Sequence, residues 1–199
     1  MLEGLAGLVM AAEVARAEVQ VQKVADAYFS QQQFDTPNAV IKYEILSEGE
    51  IVSDFDEFNE KVASVLADPR GWIRAGVGFV QAEENEAATL KIILAAPDVV
   101  GSFSGCSDAL SCRYGDKVLI NDVRWQNGSD SYNELGLDIE TYREMVINHE
   151  VGHFLGHGHI ATCEARSGLA PVMLQQSTGL NGCTPNPWPL PSELWTNIK

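Results

Sequence analysis

The stretch "NHEVGHFLGHGHIATC", residues 148–163, decides how the rest of the chain is read. All four histidines of the 199-residue sequence fall within it: His149, His153, His157 and His159. His149 and His153 are four positions apart, so on a helix both rings leave the same face. Glu150 lies between them, one step around the cylinder. That is H-E-x-x-H, in which two imidazoles bind zinc and the glutamate serves as general base. Ile147, Val151, Phe154 and Leu155 recur at helical spacing and form a stripe that faces a core. The metal face and the buried face of the predicted helix are therefore separate.

A hydrolytic zinc site takes three protein ligands and keeps one position open. His157 and His159 compete for the third place. A continuing helix sets His157 about 12 Å along the axis from His149. Zinc–nitrogen bonds are only about 2.0–2.1 Å, so one ion cannot join a helical His157 to the other two. Gly156 offers the alternative, because glycine tolerates the left-handed conformation that ends a helix and redirects the chain. After such a turn His159 can swing back to the metal. His157 then either packs against the turn, which is the expectation, or faces the cleft.

The bulk properties bound the setting. A net charge of −15 argues against nucleic-acid or anionic-membrane partners, which call for a basic face. No apolar run approaches the roughly 18–20 residues that span a bilayer. At 199 residues, with 45% hydrophobic and 21% charged residues, one globular domain is expected, and as a monomer. The N-terminus supports several readings. "GLAGLVMAA" (Gly4–Ala12) followed by "ARA" resembles a signal peptide, although Glu3 precedes it and no Lys or Arg does. Leu5, Leu8, Val9 and Ala12 also fit an amphipathic helix. A truncated or alternative start is a third reading.

Along the chain, residues 1–37 read as a helical lead or linker and 38–199 as the functional domain. "VIKYEIL" (Val40–Leu46) alternates as a strand, with Ile41, Tyr43 and Ile45 on one face. A helix follows, capped by Ser53 with Asp56 in the N3 role and stopped at Asp68–Pro69. Its buried stripe is Phe55, Phe58, Val62, Val65 and Leu66. Strands are predicted near 77–82, 89–95 and at "KVLIN" (Lys117–Asn121), with Leu90, Ile92 and Leu94 sharing a side. A second helix starts near Asp138 and runs into the histidines. Strands and helices are interspersed early and irregular structure comes late, which predicts an α+β fold.

Four cysteines allow three pairings. Cys106 with Cys112 and Cys163 with Cys183 close the shorter loops and are the expected bridges; four free buried thiols are the alternative. Bridges imply an extracytoplasmic or secreted protein.

"HEVGHFLGHGH" resembles the extended zinc motif of the metzincin metallopeptidases, with His149, Glu150, His153, Gly156 and His159 in the matching positions. Metzincins carry a methionine turn beneath the metal, and "APVMLQQ" puts Met173 in a matching place. Together with "QQSTGLNGCTPNPWP" and the cysteines, the chain is similar, over roughly residues 38–190, to an uncharacterised family of bacterial extracytoplasmic proteins predicted to be metzincins. The resemblance implies a zincin-like twisted mixed sheet and an active-site helix in an upper lobe, over a loop-rich lower lobe with the Met-turn. It implies one zinc ion per chain on His149, His153 and His159, and an endopeptidase that hydrolyses peptide bonds of peptide or protein substrates with Glu150 as general base. It further implies a substrate extended along Lys117, Val118 and Leu119 as an edge strand. Leu174, Gln175 and Gln176 are expected walls near the metal. Gln175 stands where some metzincins have a tyrosine ligand, and Ile160 where others have an acidic residue. A zinc-bearing binding or scaffold domain that lost activity is the rival reading, and hydrolysis of a non-peptide amide a third.

Overall fold

The computed structural model describes residues 39–83, 85–163 and 168–198. The expected N-terminal lead and linker lie outside them. Five strands form one mixed sheet: β1 (Ala39–Glu48), β2 (Val77–Gln81), β3 (Leu90–Ala95), β4 (Cys112–Tyr114) and β5 (Lys117–Asn121). Their order across the sheet is β2-β1-β3-β5-β4. All neighbours are parallel except β4, which runs antiparallel to β5. β2 pairs with the first half of β1 and β3 with the second half. The chain therefore passes from β2 to β3 through residues 82–89 alone, with no crossover helix.

The alternation read from the sequence places side chains on two sheet faces. Ile41, Tyr43, Leu90, Ile92, Leu94, Val118 and Ile120 face the main core. Ile93, Ala95 and Leu119 face a second, smaller cluster on the opposite side. Two helices cover the main face: α1 (Phe55–Ala67) and the long helix Ile139–Phe154. α1 buries Phe58, Val62, Val65 and Leu66, each contributing about 1.5–3 kcal/mol. The other face is covered by α2 (Pro97–Ser102) and the loop that the Cys106–Cys112 disulfide closes.

α3 (Asp122–Asn127) and α4 (Asp130–Asn133) lead into α5 (Ile139–Phe154), which packs on α1, β5 and β4. α2, α3 and α4 have no counterpart in the sequence reading, since four to six residues are too short to show a helical period. α5 starts at the expected Asp138, whose carboxylate accepts from the Glu140 N–H at 3.3 Å.

Two local expectations need correction. Asp54, not Ser53, caps α1, accepting from the N–H groups of Asp56 and Glu57. The Val52 and Ser53 N–H groups are instead held by the buried carboxylate of Asp122, so the helix begins one residue later. Phe55, in the first turn, is 36% exposed and only flanks the stripe.

Candidate metal centre

The histidine helix ends as the glycine predicts. Gly156 has φ +106°, its N–H donates to the His153 carbonyl, and the His157 N–H donates to the Gly152 carbonyl. This paired pattern is the Schellman motif, which satisfies the last carbonyls while turning the chain back. The turn brings His159 over the helix. Ring centroids lie 4.8 Å apart for His149 and His153, 5.2 Å for His149 and His159, and 4.6 Å for His153 and His159. One ring nitrogen from each of the three lies within 4.8 Å of the others. The Nε2 atoms of His153 and His159 face each other at 3.0 Å. A tetrahedral ion with bonds of about 2.0–2.1 Å separates its ligand nitrogens by about 3.3 Å, so the cluster fits a metal ion with small adjustments.

Two of the rings are oriented by carbonyls. His149 Nδ1 donates to the Val172 oxygen at 2.7 Å, and His153 Nδ1 to the His157 oxygen at 2.8 Å. Donation through Nδ1 leaves Nε2 with its lone pair free for a metal. Burial lowers the proton affinity of all three rings, pulling that of His149 down to about 3, so they stay neutral. Neutral imidazole is the ligating form.

His157 is kept apart from the cluster. Its ring lies 3.9 Å from Trp195 and 4.7 Å from Trp72, and its Nε2 donates to the Trp195 carbonyl at 2.9 Å. It packs against the turn and also lines the cleft.

Glu150 is only 5% exposed and lines the same cleft as the three histidines. Burial pushes its carboxyl up to about 8. The cleft encloses about 560 Å³. α5 forms its floor, residues 105–113 one rim and residues 175–178 the other. The first rim is stapled by the Cys106–Cys112 bridge and by Asn121, whose Nδ2 donates to the Asp108 carbonyl.

Met173 is fully buried, and its sulfur packs against Gly152 of α5. Its segment is held by Glu193, a residue for which the sequence carried no signal. The Glu193 carboxylate, 1% exposed, accepts from the N–H groups of Val172, Met173 and Leu190. Asn186 carries no sequence signal either, and it is paired with Gln176, an expected wall residue. Gln176 accepts from the Tyr132 hydroxyl and the Asn186 N–H, and donates to the Pro171 and Asn186 carbonyls. The second disulfide, Cys163–Cys183, closes the loop that carries Met173. A separation of 20 residues makes it worth about 3 kcal/mol in the chain-entropy model.

The expected substrate residues are distributed differently. Lys117, Val118 and Leu119 do not form an edge: β5 lies between β3 and β4, and Val118 and Leu119 are buried. The tight turn at Gly115–Asp116 folds β4 back over β5 and makes β4 the outer strand. Leu174 is buried among Cys163, Ala170 and Cys183 and is not a wall of the cleft. Gln175 and Gln176 do line it.

The fold and site define an α+β domain with two disulfides and a three-histidine cluster that can hold a metal ion. The chain belongs to the DUF3152 family, described as a protein of unknown function, whose model matches residues 17–184. No curated protein matches it.

Proposed function

We propose that the protein is a zinc-dependent endopeptidase of the metzincin type. The observation that carries this reading is one cleft that holds His149, His153 and His159 in ligating geometry with Glu150 beside them. Three neutral imidazoles are the donor set of hydrolytic zinc. The Gly156 turn and the buried Met173, packed against Gly152 of the histidine helix, support the metzincin form. Zinc bound there supplies Lewis acidity to a carbonyl oxygen and to water.

The residues of the chain do the rest. Glu150 accepts a proton from the attacking water and delivers a proton to the departing amine. Its carboxyl is raised by burial, and a dication on the adjacent rings favours the ionised, proton-accepting form. Val172 and His157 lend carbonyls that fix two of the rings. β4, as the outer strand, offers unpaired backbone groups to an extended peptide. The two disulfides support an extracytoplasmic setting. No described helix is long and apolar enough to cross a membrane.

The test joins elemental analysis to a peptide-library cleavage assay. One zinc per chain and cleavage by the parent protein are expected. Glu150→Ala should retain zinc and lose a factor of about 10²–10⁴ in rate. Zinc binding without cleavage of any library member would overturn the peptidase reading in favour of a zinc-bearing scaffold.

A further inference from the structure

Thirteen basic residues face twenty-eight acidic ones in this chain, so a cation without a partner is unexpected. Among the described residues, Lys42, Lys61, Arg70, Lys91 and Arg143 pair with carboxylates. Arg74 and Arg124 donate to backbone carbonyls. Arg113 and Lys117 do neither with their side chains, and of the two only Arg113 lines the cleft. It is the only Lys or Arg there among the described residues, and Glu150 is the only carboxylate.

The sheet register says where Arg113 points. It pairs with Val118, whose side chain faces α5 and the main core. Cross-strand partners share a face, so Arg113 projects toward the histidines. Its strand neighbours face the other way: Cys112 packs in the second cluster, and the Tyr114 ring lies 5.2 Å from Phe103. An exposed guanidinium on a rim stapled by a disulfide presents a planar, five-donor fork that matches a carboxylate.

We infer that Arg113 is a specificity-determining residue that binds a carboxylate of the substrate next to the bond being cut. The nature of the substrate rests on the hydrolase reading above. The long-range field of a chain with net charge −15 repels anions, so Arg113 acts at contact range and reads one group. That carboxylate belongs either to an Asp or Glu side chain or to a free C-terminus. The side of the scissile bond follows from which member of a matched set is preferred.

The experiment uses two probes on the zinc-loaded protein. The first is a set of quenched peptides in matched pairs, Glu against Gln at each position around the cleaved bond, each with a free or an amidated C-terminus. The parent protein should prefer a carboxylate-bearing member by roughly tenfold or more in kcat/KM. Arg113→Gln should bring that ratio close to one, and Arg113→Glu should invert it toward a Lys-bearing peptide. Lys117→Gln makes the same charge change on the opposite sheet face and should leave the ratio standing. The second probe is a pair of dipeptide hydroxamates, which anchor on zinc whether or not the protein cleaves anything. The Glu form should bind more tightly than the Gln form by a similar factor, and Arg113→Gln should erase the difference. Cleavage with no carboxylate preference, or a preference that survives Arg113→Gln, overturns the inference and leaves the hydrolase intact. Failure of all cleavage, with the hydroxamate difference present and lost in Arg113→Gln, overturns the hydrolase and keeps the carboxylate site.

Discussion

Gly152→Ala tests the packing beneath the histidines with a sign opposite to the usual one. In a helix interior, alanine is favoured over glycine by about 1 kcal/mol, so this change in an open helix raises stability. Here the added methyl group would lie 2.3 Å from the Met173 sulfur and 2.7 Å from Trp72 Cζ2. Ordinary contact is about 3.5–4.0 Å, so each neighbour must yield by roughly 1 Å. Neither is free to do so. Trp72 donates through Nε1 to the Asn148 carbonyl at 2.9 Å and is packed on His157. Met173 is fully buried, so its thioether has no open space to move into, and its backbone is tied to Glu193 and Ile160. Overpacking of this kind costs about 1–3 kcal/mol; taking the upper end and subtracting the propensity gain leaves about 2 kcal/mol of net loss. For a domain of this size Tm should fall by roughly 4–8 °C. The shift should also reach the metal, because Met173 adjoins Val172, whose carbonyl orients His149. Zinc affinity should drop by about tenfold or more. Thermal melts with and without zinc, and a competition titration against a chelator, measure both effects. A Tm equal to or above that of the parent would refute the argument that Met173 and Trp72 are immovable.

Further outcomes are as definite. His159→Ala should release zinc, whereas His157→Ala should keep it and lower Tm, since His157 packs between two tryptophans outside the cluster; metal content after dialysis reads the first and a melt the second, and the reverse pattern would reassign the ligands. Glu193→Gln swaps an acceptor for a donor against three backbone N–H groups, and should cost about 1–3 kcal/mol in denaturant melts. In zinc-free protein, the Glu150 carboxyl keeps its proton to about 8, against an ordinary value of 4.5. The folded state therefore binds more protons than the unfolded across that window, and stability falls as pH rises through it. Glu150→Gln removes that dependence, so its Tm should gain on the parent from pH 5 to pH 8, and parallel curves would contradict the buried carboxyl. These pH values bracket the window set by the two carboxyl values.

The parts of the fold that were legible share a simple cause. β1 carries Ile41, Tyr43 and Ile45 at period two, and the core stripe of α5 lies at helical spacing, so local pattern and tertiary role coincide. Gly156 could be read as the turning point because the reach of a metal bond excludes a straight helix. What stayed hidden depends on pairing across the chain. Whether "KVLIN" is an edge is decided by β4, three residues that form a strand only because the bridge and the turn press them onto β5. Glu193 and Asn186 satisfy backbone groups far away in sequence, in a region with no period to reveal them. Arg113 stands out only once the cleft lining is known, since Lys117 makes no side-chain pair either but lies on the opposite sheet face.

The order in which these contacts lie along the chain has a consequence for biosynthesis. The histidines emerge early, but the Val172–Met173 turn needs Glu193, His157 needs the Trp195 carbonyl, and the helix end is bonded by the Asn197 N–H to the Leu155 oxygen. A nascent chain whose last emerged residue is near 185 has every proposed ligand present and none of these braces. Residues 193–197 thus brace the turn and the helix end only after the proposed ligands have been made. Protein caught before they dock should be open to proteolysis around the turn and slow to take up metal, even though the complete ligand set has already been made.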